Sequence, residues 1–160
     1  MPTIPFHRAR VVLAALAFSA AGAVSLWQSE WFSHEAVIPI PGDVPTIGFG
    51  TTEGVKLGDT ITVPKALGRS LTDIQKFEGA IKQCVKLPLF QHEYDAYVQL
   101  AYNIGEGAFC GSTLVRKLNA GDYDGACREI LRWNRAQGRE VRGLTLRRQR
   151  EYTLCAGGSQ

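Results

Sequence analysis

The chain has 160 residues, 45 % of them hydrophobic and 21 % charged, enough for one domain or two small lobes around a real core. Gly at 17 and Pro at 7 exclude a collagen-like or wholly disordered polymer, and no internal repeat suggests a solenoid. A net charge of +3 is too small to imply a nucleic-acid partner, and none is expected.

The first element is Val11–Trp27, VVLAALAFSAAGAVSLW, which carries no charge and follows His7, Arg8 and Arg10. No acid occurs before Glu30. A basic leader before an apolar run is the layout of an export signal. At 17 residues it sits at the short limit of a bilayer span, diluted by Ala, Gly and Ser. Three readings follow. The segment is an uncleaved, weakly held anchor that can later leave the membrane; or it is cleaved at Ala21-Gly22-Ala23; or it is a core helix. The first is favoured, giving residues 1–28 as a signal-anchor segment with a cytoplasmic N-terminus. Residues 29–160 then form a catalytic domain outside the cytoplasm.

Residues 38–60 are turn-rich, with Pro39, Pro41 and Pro45 among five glycines. Helix is nearly excluded there, and Thr46–Thr52 suits a short strand and hairpin. Beyond Thr60 the pattern turns helical. Thr62 with Pro64 can start a helix, and Ser70 with Asp73 marks a second start running to about Lys86. Gln91–Tyr102 repeats apolar residues at helical spacing, and Gly105 ends it. Ser112 caps a helix that Gly121 stops; Asp122 or Asp124 caps another to about Arg135; a last helix spans Thr145–Leu154. The fold class is α+β: a small β-hairpin lobe, a larger helical lobe and a cleft between them, preceded by the N-terminal apolar helix.

Cys84, Cys110, Cys127 and Cys155 are separated by 26, 17 and 28 residues, spacings that fit neither a zinc site nor a CxxC redox pair. Two disulfides are expected in an oxidising compartment, with three connectivities open; four buried thiols are the alternative. His7, His34 and His92 are too scattered to assemble a metal set. A Cys110–His92 thiol pair is conceivable, but a bridged Cys110 is favoured. No cofactor and no metal are expected, and GFGTTEG matches no nucleotide-binding loop.

The chemically informative stretch is Glu30 to Thr52. Two carboxylates across a cleft can hydrolyse an acetal, one protonating the leaving oxygen and the other orienting water or stabilising positive charge. Glu30, Asp43 and Thr46 supply such a set, with Glu35 as the alternative acid. The plain readings are a linker glutamate, an ordinary Pro-Gly-Asp turn acid and a strand threonine.

Four strings then identify a resemblance: PTIGFGTT at 45–52, YNIGEGAFCGSTLVRKLNAGDYDGAC at 102–127, RW at 132–133 and GLTLRRQREYTLC at 143–155. The chain resembles the phage-type lysozymes, the endolysin family related to phage T4 lysozyme, and within it the signal-anchor-release endolysins. The resemblance implies a glycosidase that cuts the β-1,4 bond between N-acetylmuramic acid and N-acetylglucosamine of peptidoglycan, lysing the host cell to release phage. It implies Glu30 at the end of a first helix as the acid, with Asp43 and Thr46 on the following hairpin. It also implies a monomer placed in the bacterial inner membrane through residues 11–27, then released to the periplasm.

The chain departs from the pattern at two points. The family Glu-Gly is Glu30-Trp31 here. The family Asp stands six residues before the Thr, where this chain has Ile40, while Asp43 stands three before it. A lytic transglycosylase on the same bonds and a non-enzymatic cell-wall-binding domain are the alternatives.

Overall fold

The structure, a computed structural model, describes residues 9–158, so the expectations placed on His7 and Arg8 lie outside it. In chain order the elements are α1 (Ala20–Ser29), β1 (Ser33–Val37), β2 (Thr46–Gly48), α2 (Val63–Cys84), α3 (Gln91–Ile104), α4 (Glu106–Cys110), α5 (Thr113–Asn119), α6 (Tyr123–Glu129), β3 (Arg135–Ala136), β4 (Arg139–Glu140) and α7 (Arg142–Cys155). The α+β class holds: a helical lobe and a small β-hairpin lobe.

The expected apolar helix over Val11–Trp27 is not found. Val11 makes an antiparallel bridge to Leu89, Leu13–Ala15 forms one 3-10 turn, and helix begins only at Ala20. At 10 residues, α1 is about 15 Å long, half of a hydrocarbon core of roughly 30 Å. Among the described residues no helix is long and apolar enough to cross a membrane. The signal-anchor-release assignment therefore falls. So do the inner-membrane partner and the single-pass placement followed by release that rested on it.

The reason is visible in the packing. Leu13, Leu16 and Leu26 are buried in the core of the helical lobe. The backbone polar groups between them find side-chain partners there. Glu78 accepts from Phe18 N at 2.7 Å and Asp95 from Ser19 N at 3.0 Å. Lys82 donates to Leu16 O at 2.7 Å and Gln91 to Ala17 O at 2.8 Å. Arg10, read from the sequence as a basic leader residue, is an ion-pair partner of buried Glu93 at 2.8 Å. Its guanidinium lies 3.5 Å from the Tyr123 ring centroid, a cation–π contact. Ser19 caps α1, accepting from Gly22 N at 2.9 Å while donating to Asp95 at 2.6 Å.

Helix α3 is the axis of the helical lobe, buried at every residue from Glu93 to Tyr102. Helix α2 is continuous, where the sequence suggested a second start at Ser70. That hydroxyl is fully buried, accepts from the Trp27 indole at 2.9 Å and donates to the Tyr102 hydroxyl oxygen at 3.2 Å, so it serves packing rather than a cap. Ser112 and Asp122 do cap α5 and α6, accepting from Val115 N at 3.2 Å and Gly125 N at 2.8 Å. Helix α6 stops at Glu129, short of Arg135, because a 3-10 turn and the β3–β4 hairpin intervene. Gln137 and Gly138, both at positive φ, make that tight turn.

The disulfides are Cys84–Cys110, joining the ends of α2 and α4, and Cys127–Cys155, joining α6 to the end of α7. The free-thiol reading and the Cys110–His92 pair are thereby excluded.

The β lobe is smaller. Strands β1 and β2 pair antiparallel with an irregular register, Ser33 opposite Gly48 and Val37 opposite Thr46. Its core is Ala36, Ile47, Val55, Ile61 and Ala66.

Candidate active site

A cleft of about 860 Å³ lies between the lobes. Glu30, Asp43 and Thr46 all line it, so the three residues singled out in the sequence come together. Glu35 does not line it; it sits exposed on β1, bridged through its backbone to Thr60.

Glu30 is the C-cap of α1, its N–H donating to Leu26 O at 2.9 Å. A carboxylate there meets the negative end of the helix dipole, an unfavourable placement. Arg147 of α7 offsets it. Its Nη1 lies 2.9 Å from Glu30 Oε1, and its Nη2 donates to Ser29 O at 2.5 Å, so one guanidinium holds both the carboxylate and the helix end. Both side chains are only 13 % exposed, which limits solvent screening of the pair.

The other carboxylate oxygen, Oε2, lies beside Gly50. A Cβ at that position would stand 3.3 Å from Oε2 and 3.4 Å from the Tyr102 ring, and φ is +85°. Glycine is required there on both counts. Tyr102 joins the lobes, donating to Phe49 O at 2.6 Å. Burial pushes its hydroxyl up to about 12, so it stays a neutral donor.

On the opposite wall, Ile40-Pro41-Gly42-Asp43 forms a turn closed by Asp43 N donating to Ile40 O at 2.9 Å. Gly42 has φ +89°, as a turn with Pro before Gly demands. The turn sets Asp43 and Ile40 on the same cleft wall. Asp43 Oδ1 accepts from Val44 N at 2.8 Å. Thr46, the first residue of β2, donates to Val44 O at 3.2 Å.

Behind Glu30 lies a buried polar chain that the sequence reading did not single out. Arg148 is fully buried, donates to Asn103 at 2.8 Å and pairs with Glu151 at 3.2 Å. Burial pushes Glu151 up to about 7, against the opposing pull of Arg148 and Arg147. In the sequence the two arginines stand only as part of the GLTLRRQREYTLC string that carries the resemblance. Arg147 finds Glu30 and Arg148 finds Asn103, both far away in sequence, while Arg148 and Glu151 pair three residues apart on α7.

A glutamate held at a helix end, lining one cleft between a helical and a β-hairpin lobe together with a turn aspartate and a strand threonine, defines a lysozyme-like protein. The Phage lysozyme family model matches residues 28–151, and the chain belongs to that family. It is 41 % identical over 113 residues to the endolysin of Acyrthosiphon pisum secondary endosymbiont phage 1, covering 68 % of this chain and 77 % of that one. Identity to the endolysin of Salmonella phage P22 is also 41 %, over 116 residues, covering 69 % and 79 %. The solved endolysin from Escherichia coli O157:H7 phage FAHEc1 superposes with a TM-score of 0.75 at 33 % identity, covering 88 % of this chain and 94 % of that one.

Proposed function

We propose that Glu30, Asp43 and Thr46 carry out the reaction of an endolysin. This lysozyme hydrolyses the β-1,4 bonds between N-acetylmuramic acid and N-acetylglucosamine in peptidoglycan, the step that lyses a host cell for phage release. The observation that supports the assignment is Glu30 at the end of α1, clamped by Arg147 and lining one cleft with Asp43 and Thr46.

Glu30 in its protonated form gives its proton to the glycosidic oxygen as the bond from the anomeric carbon breaks. Asp43 orients the attacking water or stabilises the positive charge of the oxocarbenium-like sugar, and Thr46 helps hold that water. Water adds to the anomeric carbon and yields a reducing muramic end. The division at residue 28 is a functional one in this reading: every residue given a chemical role lies in 29–160, and the family match begins at 28. Residues 9–28 complete the lobe that holds Glu30.

The test is digestion of purified murein by the full chain with its disulfides formed, read by mass spectrometry of the products, beside Glu30→Gln. Reducing muramic ends that need Glu30 are expected, with a loss of about 10²–10⁴ in rate for the variant. Anhydro-muramic ends would move the assignment to a lytic transglycosylase. Binding without cleavage by the folded protein would leave only a cell-wall-binding domain.

A further inference from the structure

We propose that Trp31 is a sugar-stacking platform at the cleft rim, taking the apolar face of an N-acetylhexosamine ring next to the scissile bond. The inference rests on the reading that the cleft holds a glycan.

Trp31 is 89 % exposed, the most exposed large hydrophobic side chain among the described residues. Its two fellow tryptophans behave differently. Trp27 donates its indole N–H to Ser70, and Trp133 packs against the core of the helical lobe. Trp31 takes part in none of the aromatic pairs found among the described residues. A large ring left in water forgoes burial that would stabilise the fold, so packing gives no reason for it.

Its exposure is not that of a loose loop. Glu30 on one side is fixed by the Leu26 hydrogen bond and by Arg147. Phe32 on the other side packs on Phe49, with ring centroids 5.2 Å apart. The backbone is therefore held at both neighbours, and the indole lines the same cleft as Glu30.

The surroundings match a carbohydrate. Ile40, Val141 and Leu146 line the cleft and are exposed, 39 %, 38 % and 47 %. Asp73, Lys76 and Arg150 line it as well. A pyranose has a face of weakly positive C–H groups and a rim of hydroxyl and amide groups. The negative face of an indole suits the first, and charged side chains suit the second. Where the family pattern has glycine after the catalytic Glu, this chain places an aromatic ring one residue from its acid.

The experiment compares Trp31→Ala and Trp31→Phe with the parent, all as full chains with disulfides formed and circular dichroism confirming the fold. KM and kcat are measured on murein. Affinity for a peptide-free murein glycan strand is measured by isothermal titration calorimetry, with tryptophan fluorescence read alongside, in the Glu30→Gln background, which prevents turnover. The expected result is a loss of about tenfold in affinity for Trp31→Ala, falling mainly on KM, with Trp31→Phe between it and the parent. The glycan should shift the fluorescence only while Trp31 is present. Murein cleavage by the parent, with the same KM and affinity in Trp31→Ala, would overturn the stacking role and leave the hydrolase reading intact. Trp31-dependent glycan binding without murein cleavage would do the reverse. A parent that neither cleaves murein nor binds the strand overturns both.

Discussion

In the helical lobe, α3 is enclosed on all sides, and three polar or charged side chains along it, Glu93, Asp95 and Gln99, are buried with it. In the β lobe, the buried core is five small or medium residues with Phe32 and Phe49 packed against them, and Pro and Gly turns connect the strands. The two disulfides and the buried Arg148–Glu151 pair all belong to the helical lobe. The cleft thus has one firm wall and one soft wall. Glu30 and its clamp Arg147 stand on the firm one, which suits the proton donor that Glu30 is in the proposed mechanism. Asp43 and Thr46 stand on the soft one, held by a turn and a short strand. A wall with few buried apolar contacts can adjust to a polymer.

That contrast can be broken most sharply at Arg148. Arg148→Met leaves Glu151 buried without its ion-pair partner and should cost about 3–5 kcal/mol in denaturant unfolding. A cost below 1 kcal/mol would show that the pair is not a support of the firm wall.

The two cores can be compared directly by cavity creation. Leu100→Ala, at the centre of α3, and Ile47→Ala, on β2, should each cost about 2–5 kcal/mol locally. Their reach should differ. Hydrogen exchange should rise throughout the helical lobe for the first, but only around β1 and β2 for the second. Equal spread would mean that the lobes unfold as one unit.

Cys127→Ala with Cys155→Ala removes the tie between α6 and α7, which closes a loop of 28 residues, and should cost about 2–4 kcal/mol. Non-reducing denaturant melts measure it.

Glu151 makes a smaller, pH-dependent difference. Its carboxyl is pushed from the ordinary 4.5 up to about 7, so the folded state holds its proton more tightly than the unfolded one. Its contribution is therefore full below about pH 4.5 and is lost as pH rises to about 7, a fall on the order of 1–3 kcal/mol. Glu151→Gln should flatten that slope in melts run from pH 4 to 8.

The smallest effect is expected at Gly50. Gly50→Ala forces a side chain into positive φ at a strain of about 1 kcal/mol and crowds Glu30 Oε2. Murein hydrolysis should fall by more than the stability change explains.

Local signals read correctly where the chemistry is local. Ser112 and Asp122 cap helices because each side chain bonds a backbone N–H three residues on, and Gly105 ends α3 at positive φ. Thr46 opens a strand as its neighbours demand. Ser70 misled because a buried hydroxyl serving Trp27 and Tyr102 looks, in sequence, like a helix cap. Val11–Trp27 misled more seriously. An uncharged run has the same composition whether lipid or a protein core receives it, and the partners that decide between them, Glu78, Asp95 and Lys82, lie 60 to 76 residues away.

By itself the sequence determined the α+β class, the order of most helices and the stretch from Glu30 to Thr52 as the place to look for chemistry. These follow from periodicity, capping and turn residues, which act over a few positions. Only the tertiary structure decided the disulfide pairing, the clamp of Arg147 on Glu30, the buried Arg148–Glu151 pair and the fate of the N-terminal segment. The disulfides, the clamp and the packing of the N-terminal segment join groups far apart along the chain, whereas Arg148 and Glu151 stand three residues apart on α7 and only their burial is set by the fold; burial, charge and hydrogen bonding take their strength from the folded surroundings rather than from neighbours in sequence.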